Sequence, residues 1–248
     1  MDEKAAVARI SAFLEPDSED VSYLRDMATP GLKFRRGQQL RLEGSANPKL
    51  FLLKRGWVAS SIVTADGNRQ ILRAHLPGDL LGIPSLALTS AHDTLTALSP
   101  VEAFMIEPAA LMAIFAERPR IATALFMIAQ EERIIAMDRL ASVGTSSSTQ
   151  RLAALIFELK TRLARTGAIV RRSFDAPITQ SDIGDLIGVS AIHVNRILAN
   201  LRAEGIATWS SGIVTVLDEE RLQRLSGMPV RDFVRVGGQG GPAGNAAA

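Results

Sequence analysis

Two short helical patterns joined by a glycine turn constrain the fold more than any other part of the chain. Gly188 lies in the turn, where a left-handed conformation is needed, and Gly184 is small where two helices must cross closely. Thr179 and Asp182 match a variant of the capping box, which begins a helix. Apolar residues recur at the spacing of a shared core: Ile183, Ile187, Val189, Val194, Ile197, Leu198 and Leu201. The segment from 179 to 202 therefore predicts a helix-turn-helix rather than a generic helical hairpin.

The second helix of such a motif enters the major groove of DNA with its amino-terminal side chains. We predict that it begins at Ser190 and presents these residues to DNA: Ser190, Ala191, His193, Asn195 and Arg196. The guanidinium of Arg196 suits a guanine edge, and Asn195 suits adenine or a phosphate. Ser190 and His193 are within reach of backbone oxygens. The alternative interpretation of Arg196 is a solvated surface charge.

Two flanking features extend the predicted DNA-binding surface. The first helix starts with residues whose free backbone amides suit a phosphate: Thr179, Gln180 and Ser181. The hairpin over 206–217 has Ser210 and Ser211 at its tip. It has the position of a wing that touches the DNA backbone.

Upstream of the helix-turn-helix, the pattern is of β type. Short β-forming runs separated by glycines indicate an antiparallel roll or barrel. The runs are Lys33–Arg35, Leu40–Leu42, Leu50–Leu53, Val58–Val63, Gln70–His75, Thr94–Leu98 and Ala103–Ile106. Helical patterns precede the roll and return after residue 108. The predicted fold class is α+β, with an N-terminal antiparallel β-roll of the jelly-roll or cupin-like type, a long dimerisation helix and a C-terminal winged helix-turn-helix.

The pattern predicts five segments. They are the helices and β-roll of a sensor domain over 1–117, a dimerisation helix over 118–143, a hinge over 144–149, a winged helix-turn-helix domain over 150–236 and a disordered tail over 237–248. The hinge is small and polar, and the glycine-rich tail has nothing to bury.

The helix predicted over 119–142 is apolar on more than one side. A monomeric surface helix needs only one apolar stripe, so the second stripe predicts a contact with a second copy of the same helix. The predicted dimer row is Ile121, Leu125, Ile128, Glu132, Ile135 and Arg139. The alternative is a helix buried within its own domain.

Composition excludes several classes of chemistry. The chain of 248 residues has no cysteine, which excludes disulfides, zinc–thiolate sites and cysteine-ligated iron–sulfur clusters. Its charged amino terminus leads to no apolar segment of signal-peptide type, and its longest apolar stretch is too short to cross a bilayer. We therefore expect a soluble cytoplasmic protein with no membrane partner.

The order of these elements resembles the Crp/Fnr family of bacterial transcription regulators. The roll carries motifs similar to those of the family, namely Phe34-Arg-Arg-Gly37, Glu43-Gly44, Phe51-Leu-Leu-Lys-Arg-Gly56, Asp66-Gly67-Asn68 and Leu76-Pro-Gly-Asp-Leu-Leu-Gly82. The resemblance implies a homodimer on a two-fold-symmetric site in double-stranded DNA, and a contact with RNA polymerase. Arg196 matches the base-reading arginine of the family, but Ile192 stands where a glutamate is usual. The usual half-site sequence of the family is therefore not expected.

The predicted effector pocket departs further from the family. The resemblance places it near Gly78, Asp79, Gly82 and His92, with the effector unknown. Nucleotide-binding members supply a glutamate for the ribose and an Arg-Ser pair for the phosphate, whereas this chain has Asp93 near the expected pair and no arginine between Arg73 and Arg118. Cyclic AMP is therefore not expected.

Three interpretations of the sensor domain stay open: no effector, an unrecognised ligand, or haem. His75 and His92 are the histidines outside the DNA-binding domain, and haem iron accepts a histidine ligand. Ordinary structural or exposed histidines are the favoured interpretation of both. No metal site is predicted.

Two rival functions differ in class from a DNA-binding regulator. A catalytic cupin needs closely spaced histidines that the chain does not contain, and no nucleophile or phosphate-loop motif is present, so an enzyme is not predicted. The other rival is a degenerate sensor whose helix-turn-helix has become a protein-interaction module.

Overall fold

The computed structural model describes residues 4–26, 31–46, 49–231 and 233–235. The predicted tail over 237–248 lies outside the described residues. Two short helices, α1 (Lys4–Ser11) and α2 (Ser18–Asp26), precede the first strand.

The N-terminal domain is an antiparallel β-roll, as predicted. Its strands are β1 (Leu32–Phe34), β2 (Gln39–Arg41), β3 (Leu50–Arg55), β4 (Val58–Val63), β5 (Arg69–His75), β6 (Leu80–Leu81), β7 (Thr94–Ala97) and β8 (Val101–Ile106). They form two four-stranded sheets with the orders β1-β8-β3-β6 and β2-β7-β4-β5. Each strand predicted in the roll is found within two residues of its predicted bounds. A 3-10 helix, Ile83–Ala87, follows β6.

Helices and one small sheet make up the rest of the chain. The helices are α3 (Pro108–Glu117), α4 (Pro119–Thr145), α5 (Ser148–Arg165), α6 (Gln180–Ile187), α7 (Ala191–Ala203) and α8 (Glu219–Ser226). The small antiparallel sheet has the order β10 (Ala207–Ser210), β11 (Ile213–Val216), β9 (Ser173–Asp175). No helix among the described residues is both long enough and apolar enough to span a bilayer.

The hinge predicted over 144–149 is shorter than expected. Helix α4 continues to Thr145, and α5 begins at Ser148, which leaves only Ser146 and Ser147 outside the helices. Ser147 caps α5 by accepting a hydrogen bond from the Gln150 backbone N–H, and the Gln150 side chain accepts one from Ser147 in return. This capping box starts the new helix almost as soon as the old one ends.

The β-roll and the C-terminal domain share one continuous hydrophobic core. Trp57, Ile71 and Leu76 of the roll belong to the same buried cluster as residues of α5 and α6, such as Ile156 and Ile183. The two domains are therefore packed against each other and not simply tethered by the short connection after α4.

The residues of the predicted dimer row of α4 contact their own protomer to different extents. Ile121 and Ile128 are buried in a core with α1 and α3, and Leu125 packs against that core. The side chain of Glu132 lies 3.4 Å from that of Arg73. Ile135 is half-buried, and Arg139 donates to the Leu72 carbonyl at 2.7 Å and to Glu158.

A different face of α4 is exposed and apolar. It carries Phe126, Met137, Leu140 and Val143, and Leu140 is 76% exposed. At 100° per residue these positions fall within one third of the helix circumference. The second stripe therefore exists, but it is made of other residues than those predicted.

Candidate DNA-binding surface

Helix α6 begins with the capping box that the sequence predicts. The Asp182 backbone N–H donates to the Thr179 hydroxyl at 3.1 Å, and the Thr179 backbone N–H donates to the Asp182 carboxylate at 2.9 Å. Gln180 and Ser181, in the first turn, are exposed. The start of the helix is thus ordered by its own residues while its first turn faces solvent.

The turn between α6 and α7 depends on both glycines. Gly188 has φ of 72°, the left-handed conformation that favours glycine. A Cβ atom at Gly184 would lie 2.4 Å from the Val189 carbonyl oxygen, so no larger residue fits the crossing of the two helices. Val194, Ile197 and Leu201 are buried beneath α7.

Helix α7 presents a continuous outer row of side chains. Ser190 caps the helix by accepting from the His193 backbone N–H at 3.3 Å. Ile192, Asn195 and Arg196 are exposed, and at 83% Ile192 is the most exposed large apolar residue in the part of the chain that the structure describes. The spacing of three and four residues puts all three on one face.

His193 and Ala191 are less accessible than predicted. Both are half-buried, and both ring nitrogens of His193 bond within the protein. Its Nδ1 accepts from the Arg196 guanidinium at 2.9 Å, and its Nε2 lies 2.8 Å from the Ser148 hydroxyl. Because an arginine only donates, Nδ1 carries no proton, and Nε2–H donates to Ser148. His193 therefore ties Arg196 to the start of α5.

The predicted wing is a tight hairpin. Ser211 and Gly212 both have positive φ, 51° and 75°, as in a type I′ turn. Ser210 and Ser211 are exposed at the tip. The Gly212 carbonyl accepts from the Ala176 backbone N–H at 2.7 Å, so the wing is fixed to the segment that leads into α6.

Several contacts that order this surface were not predicted from the sequence. Arg69 of β5 donates to Asp182 and Asp185 of α6. Arg151 of α5 donates to the Ile187 carbonyl at 3.0 Å, at the end of α6, and to the Ser146 carbonyl. No local spacing signals these pairs, because the partners of Arg69 lie more than a hundred residues away.

Comparison with known proteins agrees with this geometry. A family model described as a cyclic nucleotide-binding domain matches residues 32–118, and one described as a Crp-like helix-turn-helix domain matches residues 150–225. The chain belongs to the Crp/Fnr family. It is a transcription regulator of the Crp/Fnr type with a helix-turn-helix DNA-binding domain.

Relatives of this regulator are distant but aligned over most of their length. The fumarate and nitrate reduction regulatory protein of Yersinia pestis is 25% identical over 194 residues, which cover 78% of this chain and 77% of that protein. The structure of FixK2 from Bradyrhizobium japonicum matches with a TM-score of 0.72 at 24% identity, over 82% of this chain and 99% of that one. The c-di-GMP responsive regulator CLP of Xanthomonas campestris matches with a TM-score of 0.64 at 15% identity, over 82% of this chain and all of that one. The two structures show a shared fold.

The space beside Gly82, in the predicted effector pocket of this Crp/Fnr regulator, is occupied by side chains of the roll. Arg41 and Asp93 form a buried ion pair beside Gly82, where an added Cβ would lie 2.5 Å from the Arg41 guanidinium. Arg41 also donates to the Lys49 carbonyl at 3.1 Å. The pair fills the space beside Gly82 with protein atoms.

The other predicted pocket residues do not gather round one ligand. Asp79 is buried in an ion cluster with Arg9 and Arg162, and His92 is exposed in the loop before β7. Burial alone would raise the pKa of the Asp79 carboxyl, but the charges of the surrounding arginines and a hydrogen bond from His75 together outweigh it and hold that pKa well below its usual range. Asp79 is thus a structural anion.

The same ion cluster surrounds His75 and bears on whether it could bind a metal ion. Ligand atoms of His75, Asp79 and Glu132 lie within 4.8 Å of one another, which is close enough for a metal ion. Guanidinium groups of Arg9 and Arg73 lie 3.4 Å from Asp79 and Glu132, so positive charge already surrounds these carboxylates. Positive charge disfavours a cation there, and His75 lies beside ion pairs, 3.8 Å from the Asp79 carboxylate.

Proposed function

We propose that the chain is a homodimeric, sequence-specific regulator that reads a two-fold-symmetric DNA site with the exposed row of α7 and does so without cyclic AMP. The observation that carries the proposal is the anchored guanidinium of Arg196. It is exposed next to Asn195 on the outer face of α7, and His193 and Ser148 tie it to α5. A preorganised guanidinium loses less entropy on binding a guanine edge than a free one.

Ile192 affects which bases the proposed DNA-binding surface can recognise. An exposed, apolar, β-branched side chain at the start of α7 suits the methyl group of thymine and cannot accept from a cytosine amino group. The proposed half-site therefore combines a guanine contacted by Arg196 with a thymine contacted by Ile192. The first turn of α6 and the wing serine residues contact phosphates on either side.

The proposed dimer uses the exposed face of α4. Phe126, Met137, Leu140 and Val143 form an apolar stripe on a long helix, and a second copy of that stripe is the occupant of matching shape. Two copies of α7 then reach successive turns of one duplex, about 34 to 36 Å apart. Such a regulator works in the cytoplasm, not as an enzyme, and contacts RNA polymerase when bound near a promoter.

Selection from a random DNA pool tests the proposal. We expect purified protein to enrich a palindrome whose half-site centres lie about ten base pairs apart, with no added effector. The affinity for that palindrome falls steeply as salt rises, because phosphate contacts release counterions. Failure to enrich any sequence, with binding that is flat in salt or undetectable, favours the protein-interaction module instead.

A further inference from the structure

Strand β5 of the roll is joined to the helix-turn-helix by an ion pair in which one arginine contacts two carboxylates. The Arg69 guanidinium donates from Nη2 to the Asp182 carboxylate at 2.6 Å and from Nε to the Asp185 carboxylate at 2.7 Å. The adjacent Gln70 side chain donates to the Asp185 carbonyl oxygen. Two consecutive residues of the roll thus hold one face of α6.

The rest of β5 is hydrogen-bonded to helices α4 and α5. β5 is the last strand of its sheet, and an edge strand exposes unpaired backbone groups. Arg139 of α4 donates to the Leu72 carbonyl at 2.7 Å, and Arg162 of α5 donates to the Ala74 carbonyl at 3.0 Å. The edge is therefore covered along its length, and Arg69 is the contact nearest the DNA-binding surface.

The charges on α6 explain why this contact matters for DNA. Asp182 and Asp185 are the ionisable residues of α6, and both are acidic. Asp182 directly follows Gln180 and Ser181, the predicted phosphate contacts, and Asp185 lies about one helical turn further along α6. Two unneutralised carboxylates there would repel a phosphate, whereas Arg69 neutralises one charge and shares its hydrogen bonds between both. Burial alone would raise the pKa of Asp182, but the bonds from Thr179 and Arg69 outweigh it and lower that pKa.

We propose that Arg69 is a positioning residue for DNA binding, which clamps α6 to the roll and so fixes the direction in which each protomer presents α7. The inference rests on the proposed DNA-binding function. A dimer gains from both half-sites only when its two α7 helices have the correct separation and tilt. The clamp supplies that geometry from within the chain, so no bound effector is needed to set it.

Three variants separate the clamp from other roles of Arg69. Arg69→Gln removes the charge, Asp185→Asn removes one acceptor, and the double exchange of Arg69→Asp with Asp185→Arg restores an ion pair of reversed polarity. Arg55→Gln, which removes an exposed arginine from β3, is the control for net charge. Binding is measured by fluorescence anisotropy on the selected palindrome, on a single half-site and on a palindrome lengthened by one base pair.

We expect Arg69→Gln to weaken binding to the palindrome by about tenfold, a typical coupling for an ion-paired contact. Binding to the single half-site changes by less than about twofold. A single helix-turn-helix domain that has lost its contact with Arg69 can still bind one half-site. The variant discriminates less than the wild type against the lengthened palindrome. The slope of affinity against salt is unchanged, and Arg55→Gln behaves as the wild type. The double exchange recovers part of the loss, because the new carboxylate at position 69 still faces Asp182.

Three outcomes overturn the clamp. If Arg69→Gln loses the same affinity for the palindrome and for the half-site, and the slope of affinity against salt falls by about one, Arg69 is a phosphate contact instead. Unchanged or tighter binding by Arg69→Gln shows that the contact does not position α7 for binding. No DNA binding by the wild type overturns the proposed function and the clamp together, and thermal unfolding of each variant identifies any that fails to fold.

Discussion

The Arg162 guanidinium of α5 lies against the Asp79 carboxylate in the turn before β6, so a buried ion pair joins the DNA-binding domain to the roll. Asp79 also accepts from the Leu76 backbone N–H at 2.9 Å, and Arg162 is fixed in addition by the Ala74 carbonyl. Both side chains are more than nine-tenths buried. The pair therefore couples the stability of one domain to that of the other.

Asp79→Asn should destabilise the protein strongly at neutral pH. The substitution keeps the shape of the side chain but removes the anion that Arg9 and Arg162 share. Because Glu131 and Glu158 still pair with these arginines, the cost is about 1.5 to 3 kcal/mol of unfolding free energy. Denaturant unfolding checks this. Glu107→Gln is the control, since its pair with Lys49 is exposed and is worth at most about 1 kcal/mol. Equal effects of the two variants contradict the structural role of Asp79.

The stability of the regulator should fall in acid. Folding lowers the pKa values of Asp79 and Glu158 below their ordinary values of 3.8 and 4.5, because burial, which raises them, is outweighed by neighbouring arginine charges. The unfolded chain therefore binds these protons first as pH falls. The contribution of both groups is complete above pH 4.5 and is lost as pH falls through their lower folded values.

Unfolding free energies measured from pH 7 downward check this dependence. The wild type should be level above about pH 5 and fall below it, while Asp79→Asn should show a shallower fall because it lacks one of the titrating groups. A parallel fall in the two proteins would contradict the assignment.

The sequence was sufficient to predict the elements whose signals are local. Gly188 and the Thr179–Asp182 capping box located the helix-turn-helix, and the glycine turns located the strands of the roll. The dimer row stays a prediction, because apolar spacing is the same whether a face packs on its own domain or on a second copy. Ile121 and Ile128 belong to the first kind of face, and Leu140 belongs to the exposed one.

Contacts between residues far apart in the sequence could not be predicted, for a different reason. The partners of Arg69 and Arg162 are set by how the two domains pack, and no spacing along the chain encodes that packing. The contact of His193 with Ser148 depends in the same way on how α5 and α7 pack within one domain. His193 shows the consequence, because its sequence position on α7 predicts a DNA contact while its neighbours Ser148 and Arg196 occupy both ring nitrogens.

Leu140→Glu should convert the dimer to a monomer. The side chain is exposed in the protomer, so a charge there leaves the protomer fold intact but must be desolvated in an α4–α4 contact. Light scattering should show half the mass of the wild type. Val63→Glu, at an exposed apolar position of β4, is the control and should keep the wild-type mass. An unchanged mass for Leu140→Glu removes this face of α4 from the dimer.

Cyclic AMP should change neither the melting temperature nor the DNA affinity. The Arg41–Asp93 pair fills the space beside Gly82 with protein atoms, which leaves less room for a nucleotide. A ligand at a hundred times its Kd stabilises the folded state by about 2.7 kcal/mol, which is several degrees in melting temperature. Differential scanning fluorimetry with millimolar cyclic AMP detects such a shift, and a shift of that size would show that the site is open to the nucleotide.

The affinity of Arg196→Ala for the selected palindrome and for random DNA tests the central claim most directly. Reading by α7 predicts a loss of about 1 to 3 kcal/mol on the palindrome, with relaxed preference at one base pair of each half-site and little change on random DNA. Arg202→Ala removes the same charge from the last turn of α7 and should leave base preference unchanged. Equal losses by Arg196→Ala on both DNAs would contradict base reading by α7.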